Sequence, residues 1–294
     1  MHIAGSAHER RDLTIRIVTD STSDIEPARA AELGVDVVPL FVLWGDKSYR
    51  DYVDLSRTEF YERLKSEPVL PTTSQPTSKM FEDAFEPHVA AGDEVLCITI
   101  SSKLSGTMNA ASAAAQRFDD RVRVIDSETA AGGLGMMVMH ANELAQGGAS
   151  MGTIVASIER EKATQRLFAC VPDLSFLNRT GRIGKAKQLI GTLMKIVPVL
   201  SLKEGAVVPE AQVRTFARAQ ETMIDMSIAN APDIAAARFL VMHTNAPELA
   251  AAVLSKLHER FDGAQPKLSG ILEAGPVIGV HAGAGAVGVF SAQD

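Results

Sequence analysis

The chain has little of what the commonest catalytic and scaffold chemistries require. Its 294 residues include two cysteines, one tryptophan and three tyrosines. Cys97 and Cys170 each lie inside an apolar run, too few and too far apart for a disulfide framework or a four-ligand zinc site. They read as buried thiols of a reduced, cytoplasmic protein. The seven histidines (positions 2, 8, 88, 140, 243, 258 and 281) form neither H-x-x-x-H nor H-E-x-x-H, so no metal site is expected. No G-x-x-x-x-G-K-[ST] occurs, which excludes a P-loop nucleotide enzyme. Long lysine or arginine runs are missing and the net charge is −7, which argues against nucleic acid as a partner. The opening segment carries Glu9, Arg10 and Arg11 without an apolar stretch, so no signal peptide is expected. Ala274 to Gln293 is free of charge, but five glycines and Pro276 make it a poor helix, and it reads as a strand and glycine-rich turn rather than a membrane span.

What is present is an ordinary globular composition, 46% hydrophobic and 22% charged, on a chain long enough for two domains. β-rich runs at 15–19, 95–100 and 122–126 alternate with helical patterns, among them a capping box at Ser56-Arg57-Thr58-Glu59. That alternation predicts an α/β fold whose N-terminal domain, 1–164, is a mostly parallel sheet flanked by helices. The second half, 165–294, reads as a mixed α+β sheet with helices, including a hairpin around Lys203-Glu204-Gly205. Parallel sheets bind ligands beyond the carboxyl ends of their strands, here the loops 20–24, 101–106 and 126–133.

Several local patterns carry chemistry. Gly283 to Gly288 spells G-x-G-x-x-G, but lies too close to the C-terminus for the helix and acidic residue a dinucleotide site needs. Asp20-Ser21-Thr22-Ser23-Asp24 follows the first strand; without a second carboxylate at position 22 it reads as a turn with helix capping. Ser105 lies between a strand and a helix, yet its surroundings do not spell G-x-S-x-G, which weakens a serine nucleophile. The same loop and the hydroxyl-rich turn Pro71 to Pro76 could bind an anion at helix N-termini. His281 ends an apolar, strand-like run and precedes three small residues, which permits close approach of a ligand. Asn178 to Lys187 is the most basic segment, either a solvated loop or, given its glycines, a recognition loop.

In order, IVTDSTSDI, VVPL with Tyr49-Arg50-Asp51, TTSQPT (72–77), ISSKLSGTMNAA (100–111), VIDSETAAGGLG (124–135), GRIG (181–184) and GPVIGVHAGAGAVG (275–288) resemble the DegV family. This family comprises bacterial fatty-acid-binding proteins, including the fatty-acid-binding subunits of fatty acid kinase. The resemblance implies the family's EDD fold and a long-chain fatty acid, such as palmitate or oleate, as ligand in place of a cofactor. It further implies that Thr73, Ser105, the Gly106 amide and His281 hold the carboxylate. A separate ATP-dependent kinase subunit would phosphorylate it, with Arg182 and Arg214 contacting the kinase or the new phosphate, and transient membrane contact is compatible with that role. Thr180 and Ala284 depart from the family's usual glycine and proline. Met136, Met137, Phe168, Leu189, Leu193 and Met194 are apolar candidates for the tunnel wall. A Ser105/His281 ester or lipid hydrolase is the alternative.

Overall fold

The computed structural model describes residues 14–189 and 196–293, and the tunnel candidates Leu193 and Met194 lie outside them. The chain opens with β1 (Ile15–Asp20), a 3-10 turn at Ser21–Ser23, α1 (Pro27–Leu33), β2 (Asp36–Val38), β3 (Phe41–Trp44) and β4 (Lys47–Arg50). Next come α2 (Arg57–Ser66), β5 (Thr72–Ser74), α3 (Ser78–Ala90), β6 (Glu94–Thr99), α4 (Thr107–Ala115) and β7 (Val122–Asp126). Helices α5 (Gly132–Gln146) and α6 (Met151–Thr164) lead to β8 (Arg166–Cys170) and α7 (Ser175–Arg179). The chain closes with β9 (Val197–Lys203), β10 (Ala206–Val213), α8 (Phe216–Asn230), β11 (Ala237–His243), α9 (Pro247–Glu259), β12 (Leu268–Glu273), α10 (Pro276–Ala282) and β13 (Val287–Gln293).

The fold is α/β, as the alternation of runs predicts. A four-stranded sheet, β2-β1-β6-β7, is parallel throughout and is drawn from the first half of the chain. Its strands β1 and β6 are buried on both faces, which is why 95–100 reads as a continuous apolar run. A six-stranded mixed sheet, β10-β9-β8-β13-β11-β12, takes every strand from 166 onward. Sequence patterning did not reveal the small antiparallel sheet β4-β3-β5. Two local expectations change. The run Pro276 to Val280 is helix α10 rather than a strand, begun by Pro276 in its first turn and ended at Gly283 with φ +70°. Thr73 lies on strand β5 rather than in a turn, and α3 begins after the side chain of Thr77 caps it, beyond Pro76.

Helix α5 joins the two large sheets. Leu134 and Met137 pack with Ile98 and Ile100 of the first sheet region and with Leu240, Met242 and Phe290 of the second. Each such fully buried side chain contributes about 1.5–3 kcal/mol of transfer free energy. The helix fits because three of its first four residues are glycine: a Cβ at Gly135 would lie 2.5 Å from the Ser23 carbonyl oxygen. Gly→Ala inside a helix ordinarily stabilises by up to about 1 kcal/mol. Here the obstacle is backbone, and overpacking costs about 1–3 kcal/mol. Gly135→Ala is therefore expected to lower Tm by several degrees; a raised Tm in thermal melts would show that α5 can shift away from the 21–23 turn.

Candidate functional site

An apolar cavity of about 350 Å³, within the size range of small-molecule sites, opens between the parallel sheet's loops, the mixed sheet and α10. Its apolar walls include Leu40, Ile100, Leu104, Leu200, Val277 and Phe290. Its polar lining includes Thr73, Gln75, Ser105, Gly106, Arg182 and His281, together with Ser74, Ser201, His243 and Thr244. Residues far apart in sequence meet because β5 pairs with β3 in the small sheet while α10 packs over both strands. Thr73 Oγ1 and His281 Nε2 thus come within 3.0 Å across 208 positions.

His281 is electrically unusual. Burial, reinforced by the Arg182 and Arg179 guanidinium groups, pushes its pKa down to about 3, so the ring is neutral at physiological pH. Its Nδ1 is buried without a hydrogen-bond partner among the described residues. A buried polar atom left unpaired costs about 1–3 kcal/mol.

Ser105 stands in the loop before α4, whose N-cap is Gly106. Its Oγ is 2.8 Å from Thr107 Oγ1 and accepts a bond from the Thr107 amide. Gly106 leaves room for Gln75, since a Cβ there would lie 2.0 Å from Gln75 Oε1. Arg182 donates from Nε to the Leu104 carbonyl at 3.1 Å and from Nη1 to the Thr180 carbonyl at 2.5 Å, which ties the GRIG loop to the Ser105 loop. Arg214 is exposed on the bend between β10 and α8 and does not line the cavity. For the hydrolase alternative, Ser105 and His281 form no mutual hydrogen bond and no acid orients His281 Nδ1, so the dyad is not assembled among the described residues. The described residues also contain no His/Cys/Asp/Glu group placed to hold a metal, and none of their helices is long and apolar enough to cross a membrane.

Of the tunnel candidates, Met136, Met137, Phe168 and Leu189 are buried but do not line the cavity. Met136 and Met137 belong to the α5 core, Phe168 to the face of the mixed sheet covered by α8 and α9, and Leu189 to the cluster around Ile183 and Leu174. The walls instead come from their sequence neighbours Leu167 and Ala169 and from Met242, Gly288 and Phe290. His243 also lines the cavity and was not singled out in the sequence. Its Nδ1 accepts from the Ala246 amide at 3.2 Å, and burial lowers its pKa, which leaves the neutral ring's proton on Nε2.

Beneath the α10 end of the cavity lie three buried carboxylates. Asp20 accepts from the Thr22 amide and hydroxyl and, at 2.8 Å, from the Ile100 amide. Asp51 accepts from Ser21 Oγ at 2.8 Å, and Ser21 Oγ in turn accepts from the Leu40 amide. Asp24 accepts from the Tyr52 hydroxyl at 3.0 Å and from the Gly275 amide, at the start of α10, at 2.8 Å. Burial raises the Asp20 pKa to about 6 and that of Asp24 to about 7, and lifts that of Asp51 well above its ordinary value. The Asp20 carboxylate is thus committed to turn and strand amides, in keeping with a capping role for the 20–24 segment.

Over residues 14–294 the chain matches a family model described as "Uncharacterised protein, DegV family". It is 37% identical over 278 residues to a DegV domain-containing protein of Halalkalibacterium halodurans, covering 94% of this chain and 97% of that one. A DegV domain-containing protein of Deinococcus radiodurans is 39% identical over 281 residues, with 94% and 98% covered. Among solved structures, a fatty-acid-binding DegV family protein from Thermus thermophilus superposes with a TM-score of 0.90 at 35% identity, covering 96% of this chain and all of its own. DegV of Bacillus subtilis, a fatty acid binding protein, gives 0.85 at 31%, with 96% and 100% covered.

Proposed function

This chain belongs to the DegV family, and from that premise we propose that it binds one long-chain fatty acid in the cavity between its large sheets. The carboxylate lies at Thr73, Ser105, the Gly106 amide and His281. The observation that carries this reading is an apolar-walled cavity whose lining brings together the Thr73 and Ser105 hydroxyls and a neutral, buried His281 imidazole bonded to Thr73. Burying the fifteen alkyl carbons of a sixteen-carbon acid at about 0.8 kcal/mol each gives roughly 12 kcal/mol gross. Lost freedom of motion offsets several kcal/mol, which leaves micromolar affinity or better. A carboxylate desolvated without donors would cancel much of that gain, so the polar end and the apolar walls are both required.

In this reading the protein is a carrier that presents the carboxylate to a separate ATP-dependent kinase for conversion to an acyl phosphate. Arg182, which lines the cavity, and Arg214, exposed after β10, would contact that partner or the new phosphate. The setting is cytoplasmic, with transient membrane contact for loading, and the buried thiols Cys97 and Cys170 fit a reducing compartment. Denaturing extraction of the purified protein followed by mass spectrometry is expected to release fatty acid in near-stoichiometric amount. An empty extract, with no rise in Tm on adding palmitate or oleate, would overturn the reading. The presentation step is tested separately, by acyl phosphate formation with ATP and the cognate kinase subunit.

A further inference from the structure

We propose that Phe290, with Leu167 beside it, is the stop that limits the length of acyl chain this cavity accepts and requires the chain's far end to be apolar. The proposal rests on the fatty-acid reading above. Its basis is the register of the mixed sheet. Gly288 of β13 lies opposite Ala169 of β8 on one side and Met242 of β11 on the other. Two residues further along, Phe290 lies opposite Leu167 and Leu240. Alternate residues of a strand share a face, so these two rows floor the cavity in succession. The first row has small residues at its centre and forms a trough. The second row is large throughout and forms a wall across the trough's end.

Behind that wall stands Gln165. A Cβ at Gly133 would lie 2.5 Å from Phe290 Cε1 and 2.7 Å from Gln165 Oε1, so the ring edge and the amide converge on the same point of α5. Gln165 Nε2 donates to the Gly133 carbonyl at 3.1 Å and reaches Glu161 Oε1 at 3.4 Å. Behind it lies a second, polar cavity lined by His140, Arg160, Glu161, Thr164, Asn230 and Arg238. The Glu161 carboxylate there is bonded to His140 at 2.7 Å and paired with Arg238 at 3.3 Å. A chain long enough to pass Phe290 would press methylenes against this charged network. A chain of the right length with a polar tip would bury that tip against the ring without a partner.

Binding of a saturated series by the whole protein tests this. Affinity is expected to rise from myristate toward stearate, then to fall at least tenfold at lignocerate; hexadecanedioate is expected to bind at least tenfold more weakly than palmitate. Phe290→Ala and Leu167→Ala are each expected to shrink the palmitate-to-lignocerate affinity ratio at least tenfold. Leu167 is only half-buried, so its variant and the wild-type series decide the matter where Phe290→Ala fails to fold. A wild type that binds lignocerate as tightly as palmitate, or a folded variant with an unchanged ratio, overturns the stop and leaves the carrier reading intact. A wild type that binds no member of the series, palmitate included, overturns both.

Discussion

With His281 replaced by alanine, palmitate affinity is expected to fall about 10- to 100-fold while the ligand-free protein keeps its Tm within a few degrees. The magnitude follows from losing one hydrogen bond to a charged group, about 1.5–3 kcal/mol, with each 1.4 kcal/mol worth a factor of ten. The small effect on the empty protein follows from the same atoms. Nδ1 has no partner to lose, and Thr73, left without Nε2, is half-buried and can turn to water. Ser105→Ala is expected to weaken binding in the same direction. The double variant should lose less than the product of the two single effects, because both groups serve one carboxylate. Calorimetric titration of the three variants checks this. A folded double variant with wild-type palmitate affinity would move the head group away from this end of the cavity.

The fold was legible for a simple reason: buried parallel strands and capped helices announce themselves over short windows, as at 95–100 and Ser56 to Glu59. The site was legible only through spaced motifs. Nothing in the periodicity of PVIGVHA distinguishes a helix buried all round from a strand, so α10 was misread, and with it the seat of His281. Thr73 sits on a three-residue strand that exists only because β3 is there to pair with it. The cavity wall was missed by a single residue of register. Phe168 is the large, conspicuous side chain of β8, but its neighbours Leu167 and Ala169 point to the opposite face, where the cavity lies. Which face of a strand is covered by helices and which is left over a cavity is decided by long-range packing, and no local pattern records it.

The buried carboxylates beneath α10 give the second large effect, and its sign runs against the habit of treating a buried, hydrogen-bonded aspartate as stabilising. Asp24→Asn is expected to make the protein more stable at alkaline pH by about 4 kcal/mol, the free energy of moving a carboxyl from pKa 3.8 to about 7 at about 1.36 kcal/mol per unit. A folded-state pKa above the unfolded value means that stability is fully present below pH 3.8 and declines as pH rises to about 7, above which the loss is complete. The asparagine chain escapes that decline. The gap between the two proteins is therefore near zero at about pH 4 and widest above about pH 7. Measuring the difference matters, because lowered pKa values at His281 and His243 give the wild-type curve an opposing slope in the acid range. Asparagine keeps the Oδ1 that accepts from Tyr52 and Gly275, and it tolerates the left-handed backbone at φ 56°. Arg57 attracts the ionised form while Asp20 and Asp51 oppose it, and desolvation outweighs them all. Since the Gly275 bond anchors the start of α10, palmitate affinity should survive Asp24→Asn, whereas Asp24→Ala, which removes the acceptor, should weaken it together with stability. Denaturant melts of wild type and Asp24→Asn at several pH values decide the matter: a gap that stays flat, or that favours wild type as pH rises, would mean Asp24 is held as a well-solvated or well-paired anion.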